Sequence, residues 1–351
     1  MFVMPSAQAS GSWWVWDLGR IRGIAIRVHL TLLLLLAWFV VAAVLGGAGF
    51  SGSVYVLLLV VCVFATIVVH ELGHALVARR FGIRTRDIML LPIGGIASLE
   101  RMPAKPSQEL AVALVGPAIN LVLAGVFALV PGVFALRLAY INLGLALFNL
   151  IPAFPMDGGR ALRALLALRM SNERATDIAA TCGKVFAVLL GFAGLFFNPF
   201  LVLIAFVVWM GASQERALVH LKSALSGVPV SAAMLRRVET VTPEQPVEDA
   251  ASILLGGQTE VPVVDHGQPI GALTREDVAA AVSSAGPATR VATAHQHAVV
   301  TVDPSDPLDS VLDRLRTTPG AVAVVVDHGV AIGLVTAESL AAYAEMHQRT
   351  P

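Results

Sequence analysis

The sequence predicts a polytopic α-helical membrane protein of about six transmembrane helices, followed by a smaller cytoplasmic α/β module, and three observations carry that reading. The 351 residues are 56% hydrophobic and only 14% charged, with a mean hydropathy of +0.77, far from the roughly 25% charged residues of an average soluble domain. The apolar residues gather into long runs before residue 220, whereas the remainder mixes acidic and basic residues as soluble sequences do. Within that remainder a repeat recurs: "EVPVVDHGQPIGALTREDVAAAV" (260–282) matches "AVAVVVDHGVAIGLVTAESLAAYA" (321–344), with Asp265 and Asp327 62 residues apart.

Six runs approach the ~20 residues needed to cross a ~30 Å hydrocarbon core, at 29–46, 54–78, 108–130, 132–151, 178–197 and 199–216. The first follows Arg20, Arg22 and Arg27 like a signal peptide, but it has no small-residue cleavage site, so it reads as a retained helix. Trp13, Trp14 and Trp16 ahead of it suit an interfacial aromatic belt, and His29 at its start suits the interface better than a metal. Between the last two runs stand only Asn198 and Pro199, which a tight hairpin turn explains.

Positive residues set the orientation. Arg20, Arg22 and Arg27 precede the first run, Arg79, Arg80, Arg84 and Arg86 follow the second, and Arg160, Arg163, Arg169 and Arg174 follow the fourth. With six crossings these clusters share one side, so the amino terminus and the carboxy-terminal module are expected in the cytoplasm of a multi-pass cell-membrane protein. The net charge of zero and pI near 7.1 leave no global basic surface for a nucleic acid. Cys62 and Cys182 lie inside apolar runs, which excludes a disulfide framework or a cysteine-rich metal site.

The second run ends in "HELGH" (70–74), where an ionisable side chain costs ~2.5 to 3.5 kcal/mol at the bilayer centre unless it has a partner. His70 and His74, four residues apart, put both imidazoles on one helical face, and Glu71 stands beside them as a candidate general base. A chance match to the pattern is the bland alternative, which an apolar helix makes hard to sustain. Catalytic zinc usually takes a third protein ligand and keeps a fourth position open. The best candidate is Asp157 in "NLIPAFPMDGGRAL" (149–162), where Pro152 and Pro155 forbid a regular helix and Gly158 and Gly159 allow a sharp turn. The carboxylate is thus expected on irregular backbone near membrane depth.

"HELGH" in the second run paired with "NLIPAFPMDGG" after the fourth resembles the site-2 protease family, the intramembrane zinc metalloproteases of peptidase family M50, over about residues 20–215. The resemblance implies one zinc ion held by His70, His74 and Asp157, with Glu71 as base and proton shuttle. "GPAIN" (116–120) in the third run is a further shared feature, and it makes Asn120 and Asn149 candidate substrate-positioning or oxyanion groups, with helix packing as the alternative. "FGIRTRDIMLLPIGGIASLE" (81–100) reads as a re-entrant β-hairpin whose edge could take up an unwound substrate strand, or else as a loop on the membrane surface.

In the repeat, each copy reads strand, helix, strand, strand, helix and resembles a CBS-domain tandem over about 228–346. Such pairs often bind adenine nucleotides, which makes Thr274, Asp277 and Thr336 candidate nucleotide ligands; the second copy has Ser339 where the acid belongs. A nucleotide-free module that dimerises or docks is the alternative. "HQH" (295–297) lies in the polar link between the copies and reads as a solvated loop.

The expected organisation is a cytoplasmic segment at 1–28, a six-helix metalloprotease domain at 29–220, and CBS domains at 228–283 and 290–346. The expected activity is hydrolysis of a peptide bond in or near a transmembrane segment of a single-span membrane protein, such as a membrane-bound transcription regulator or anti-sigma factor, in regulated intramembrane proteolysis. A homodimer through the CBS domains is a further candidate assembly. A CBS-regulated transporter, with the same residues as an ion pathway, or a non-catalytic membrane scaffold are the rival classes.

Overall fold

A computed structural model describes residues 14–92, 94–100, 103, 105–236, 238–318 and 320–348, so Trp13 lies outside the described residues. The chain divides into two compact units, with the change at Val219 and His220.

The first unit opens with strands β1 (Val15–Ile21) and β2 (Ile24–His29), joined by Arg22 and Gly23 at φ 51° and 89°, the positive pair that a tight hairpin turn requires. Helix α1 (Leu30–Leu45) follows at once, and the His29 ring nitrogen caps it by accepting from the backbone N–H of Thr31 at 3.3 Å. Helix α2 (Gly49–Arg80) is the long central element, and Arg79 and Arg80 in its last turn complement the helix dipole. Strands β3 (Thr85–Leu91) and β4 (Gly94–Leu99) form the expected hairpin, but they are half of a larger sheet in the order β1-β2-β3-β4, with β2 and β3 parallel. Ile24, Ile26, Val28, Ile88 and Leu90 of that sheet pack with Ala75 of α2 into one buried cluster. Trp16 is therefore a strand residue.

Helices α3 (Pro106–Ala128) and α4 (Val133–Asn149) follow, then an irregular stretch, α5 (Asp157–Ala167), α6 (Asn172–Phe196) and α7 (Phe200–Ala224). Among the described residues four helices, α2, α3, α6 and α7, are long and apolar enough to cross a membrane. The other two expected spans, α1 and α4, are apolar helices of 16 and 17 residues, which at 1.5 Å per residue reach only ~24 to 26 Å. Large apolar side chains such as Phe50, Leu129 and Phe197 are exposed on this unit, as lipid-facing side chains are.

The second unit contains β5 (Leu235–Arg236), α8 (Val247–Leu255), β6 (Glu260–Asp265), β7 (Gln268–Thr274), α9 (Arg275–Ala285), β8 (Val299–Val302), α10 (Leu308–Thr317), β9 (Val322–Asp327), β10 (Val330–Val335) and α11 (Ala337–Gln348). The shared "DHG" turns adopt the same geometry, with positive φ at His266 and Gly267 and again at His328 and Gly329. The second copy realises the expected element order. In the first, the opening strand shrinks to a bridge between Val241 and Val263.

The copies exchange backbone. β5, at the start of the first copy, pairs with β10 of the second in a sheet ordered β5-β10-β9-β8. Reciprocally, His297, near the start of the second copy, bridges Ala272 in β7 of the first. Each copy also has its own core, one around Val247, Val261 and Leu273 and one around Leu308, Val325 and Leu340.

Candidate metal centre

Three side chains from two distant segments meet inside the helical unit. His70 and His74, one turn apart on α2, are both buried, with ring centroids 4.7 Å apart and their Nε2 atoms at 3.0 Å. Oδ2 of Asp157 lies 3.2 Å from each Nε2. The resulting triangle has edges of 3.0 to 3.2 Å, close to the roughly 3.3 Å edge of a tetrahedron with ~2.0 Å metal–ligand bonds.

The donor set fits a cation. Nδ1 of His74 lies 2.7 Å from the carbonyl oxygen of Val112, to which it donates as Nδ1–H, leaving the Nε2 lone pair turned inward. The buried Oδ2 of Asp157 has no hydrogen-bond partner. Lone pairs facing one another in an apolar interior repel and are desolvated, and a divalent ion at their centre satisfies all of them at once.

Glycines let the backbone close around the triangle. A Cβ on Gly116 would lie 2.2 Å from Nε2 of His74 and 2.5 Å from the His70 ring, so α3 crosses directly over both imidazoles. The glycine of "GPAIN" thus meets a steric requirement set by the two imidazoles. On the opposite flank, a Cβ on Gly158 would lie 2.3 Å from the carbonyl oxygen of Ile151, and one on Gly159 2.6 Å from the backbone of Ala153. The expectation that Asp157 sits on irregular backbone is corrected: residues 150–156 are irregular, but Asp157 is the first residue of α5. Its charge then also faces the positive end of that helix.

Glu71 stands between the two histidines in sequence, half-buried, and a Cβ on Gly95 would lie 2.7 Å from its Cγ. The edge strand β4 therefore runs against the side chain that the sequence nominates as base. Asn120 is buried one turn beyond Gly116 on the same face of α3, with its Oδ1 lacking a partner. Asn149 is the half-buried last residue of α4.

Arg163 is counted above among the orientation charges, yet the structure buries it. On α5, it is hydrogen-bonded to Glu109 at the start of α3 and to Glu215 on α7, and its guanidinium lies 5.4 Å from the centre of the Phe154 ring. Burial pushes its pKa down, but the two carboxylates outweigh that and hold it above its ordinary value. This ionic brace clamps the helix that presents Asp157. Its sequence signal is weak, because an arginine six residues past Asp157 looks like any cytoplasmic charge.

In the second unit, Thr274 and Asp277 form a reciprocal capping box at the start of α9. Thr336 is buried and exchanges the analogous pair of bonds with Ser339. Asp277 also lies 3.1 Å from Nε2 of His297, a neighbour that the sequence did not indicate.

With this geometry in view, comparison with known families is informative. The model of peptidase family M50 matches residues 58–137 and 132–190, and that of the CBS domain matches 230–284 and 291–345. The chain is 33% identical over 265 residues to a zinc metalloprotease of Methanocaldococcus jannaschii, covering 72% of this chain and 76% of that protein. It is 31% identical over 366 aligned positions to Rip3 of Mycobacterium tuberculosis strain H37Rv, covering 94% and 93%. Among solved structures it is similar to a site-2 protease from Methanocaldococcus jannaschii, at 35% identity and a TM-score of 0.45, over 58% of this chain and 95% of that one.

Gly116→Ala should deplete the centre of metal while leaving the helices formed, because its Cβ occupies the ligand atoms' space; zinc content and circular dichroism of the purified variant check this. Arg163→Ala leaves the buried Glu109 and the part-buried Glu215 without their cation, which should cost ~3 to 5 kcal/mol, seen as a large drop in Tm in detergent.

Proposed function

The chain belongs to peptidase family M50, and on that footing we propose that His70, His74 and Asp157 hold its zinc ion and that Glu71 is its general base. It is an intramembrane zinc metalloprotease with an appended CBS-domain pair. The observation that carries the residue assignment is the buried triangle of two imidazole nitrogens and a carboxylate oxygen.

When bound there, zinc supplies Lewis-acid polarisation of the scissile carbonyl and a water acidified toward neutrality. Glu71 accepts a proton from the attacking water and returns it to the leaving amine nitrogen, which must depart neutral for the peptide bond to break. His74, fixed by its bond to the Val112 carbonyl, keeps one nitrogen directed at the centre. Asp157 contributes negative charge from a position braced by Arg163. Asn120, whose buried Oδ1 lacks a partner, holds the substrate backbone beside the centre through its side-chain amide, and Asn149 is a second candidate for that role.

A peptide bond wrapped in a helix cannot be attacked, because its carbonyl is shielded and its backbone bonds are closed. Among the described residues β4 is the last strand of its sheet, paired with β3. Strand addition there holds an unwound substrate segment against Glu71. The substrate is thus a single-span membrane protein cut near its cytoplasmic face, such as a membrane-bound transcription regulator or anti-sigma factor released by regulated proteolysis.

The proposed layout has six crossings by α1, α2, α3, α4, α6 and α7, with local thinning of the bilayer or tilting of neighbours accommodating the two shorter helices. The amino terminus and the CBS pair face the cytoplasm. The domains run 1–28, 29–220, 228–283 and 290–346, and the CBS pair regulates the protease through an adenine nucleotide at Thr274, Asp277 and Thr336 or through dimerisation.

Glu71→Ala should keep its zinc and lose cleavage of a single-span substrate in liposomes by at least ~100-fold. Cleavage at the wild-type rate with zinc bound would refute Glu71 as the base.

A further inference from the structure

In the "HQH" segment His295 is exposed, but Gln296 and His297 are part-buried. His297 is locked to β7, its backbone N–H donating to the Ala272 carbonyl at 2.8 Å and its own carbonyl accepting from Ala272 at 3.0 Å. Gln296 turns inward: its side chain donates to the Val291 carbonyl at 3.1 Å and fills the place where a Cβ on Gly271 would be. In extended backbone, neighbours of an inward side chain face the other way. His295 and His297 accordingly meet edge to face, with ring centroids 5.2 Å apart.

Asp277 enters the same place from the first turn of α9. Its Oδ2 lies 3.1 Å from Nε2 of His297 and accepts from the backbone N–H and the hydroxyl of Thr274 at 2.8 and 2.5 Å. The carboxylate is thus aimed by its own helix cap. One ligand atom each from Asp277, His295 and His297 lies within 4.8 Å of the others. A Cβ on Gly320, which sits at φ +75°, would lie 3.0 Å from Nδ1 of His297, so the second copy closes on that ring.

The internal repeat supplies a control. The 62-residue offset that relates Asp265 to Asp327 carries Ala272 onto Leu334, and His297 back onto Leu235. Leu334 pairs with Leu235 just as Ala272 pairs with His297. At the corresponding place in the other cleft the three positions hold Ala233, Leu235 and Ser339. All three ligand-type residues therefore stand together in one cleft, and none stands in the other.

We propose that Asp277, His295 and His297 form a second divalent-metal site, separate from the protease centre and selective for a zinc-class ion. Two imidazoles and one carboxylate are a borderline donor set that suits zinc better than the oxygen-seeking magnesium or calcium. Rotation of the exposed His295 side chain completes the coordination. Occupancy ties the inter-copy link to α9 and engages the carboxylate that would otherwise meet a ribose.

The test uses the full chain in detergent, stripped of metal and dialysed against buffered micromolar free zinc. Wild type should hold about two zinc ions per chain and His295→Ala about one, with the affinity for the second ion weakened at least ~10-fold. Asp277→Asn, which keeps an oxygen acceptor for the cap, should lose the same equivalent. Cobalt titration should show a visible absorption for the second equivalent that His295→Ala removes. Equal zinc in wild type and His295→Ala, or a single wild-type equivalent that His74→Ala abolishes, would overturn the site without touching the protease assignment.

Discussion

Two imidazole lone pairs and a carboxylate, brought within 3.2 Å in an apolar helix bundle, are the constraint to which the surrounding structure answers. Such a group is unfavourable alone, because each atom has lost water and faces another acceptor. It becomes favourable only around a cation, so the local fold is organised to hold the atoms at ligand spacing. The backbone of α3 can cross the imidazoles only because residue 116 has no side chain, and α5 can start where it does only because Gly158 and Gly159 lie flush against the turn before it. The Arg163 brace adds stiffness to α5 by tying it to one carboxylate on α3 and one on α7.

These arrangements also separate two demands that conflict. Hydrolysis needs water and an accessible peptide backbone, while the helices need an apolar surround. Burial of the imidazoles confines the polar chemistry to one end of α2, and the half-buried Glu71 lies where the strand edge of β4 meets that helix. An edge strand is normally an aggregation hazard. Beside Glu71, the edge of β4 suits the proposed uptake of a substrate in the extended form that cleavage requires.

Much of this was legible in the sequence because a lipid-facing helix makes ionisable residues conspicuous. "HELGH" announced its own geometry through helical spacing, and "MDGG" became informative once a third ligand was needed. The hairpin at 85–99 and the repeat were equally readable. Other features stayed hidden because their meaning is relational. Gly116 looks like a packing residue until His74 is placed beneath it, and Arg163 looks cytoplasmic until Glu109 and Glu215 surround it. The pairing of β2 with β3 joins segments about sixty residues apart in chain order with no local signal, so the amino-terminal strands read as mere preamble. Asp157 was placed on irregular backbone because the prolines just before it disfavour helix, although the helix begins at that very residue.

The CBS pair shows the same limit from another side. Its repeat is visible as sequence, but the exchange of β5 and His297 between copies is not, since each segment opens one copy and pairs with the other. That exchange moves His297 out of a polar link and into contact with Asp277. Internal symmetry then separates what the scaffold needs from what one cleft adds: Leu235 is enough to pair with β10, so a histidine at the matching place is not demanded by the bridge. Backbone pairing tolerates either residue, whereas a ligand atom beside a capped carboxylate is contributed by the histidine alone. The difference between the two clefts at these positions is therefore chemical as well as structural.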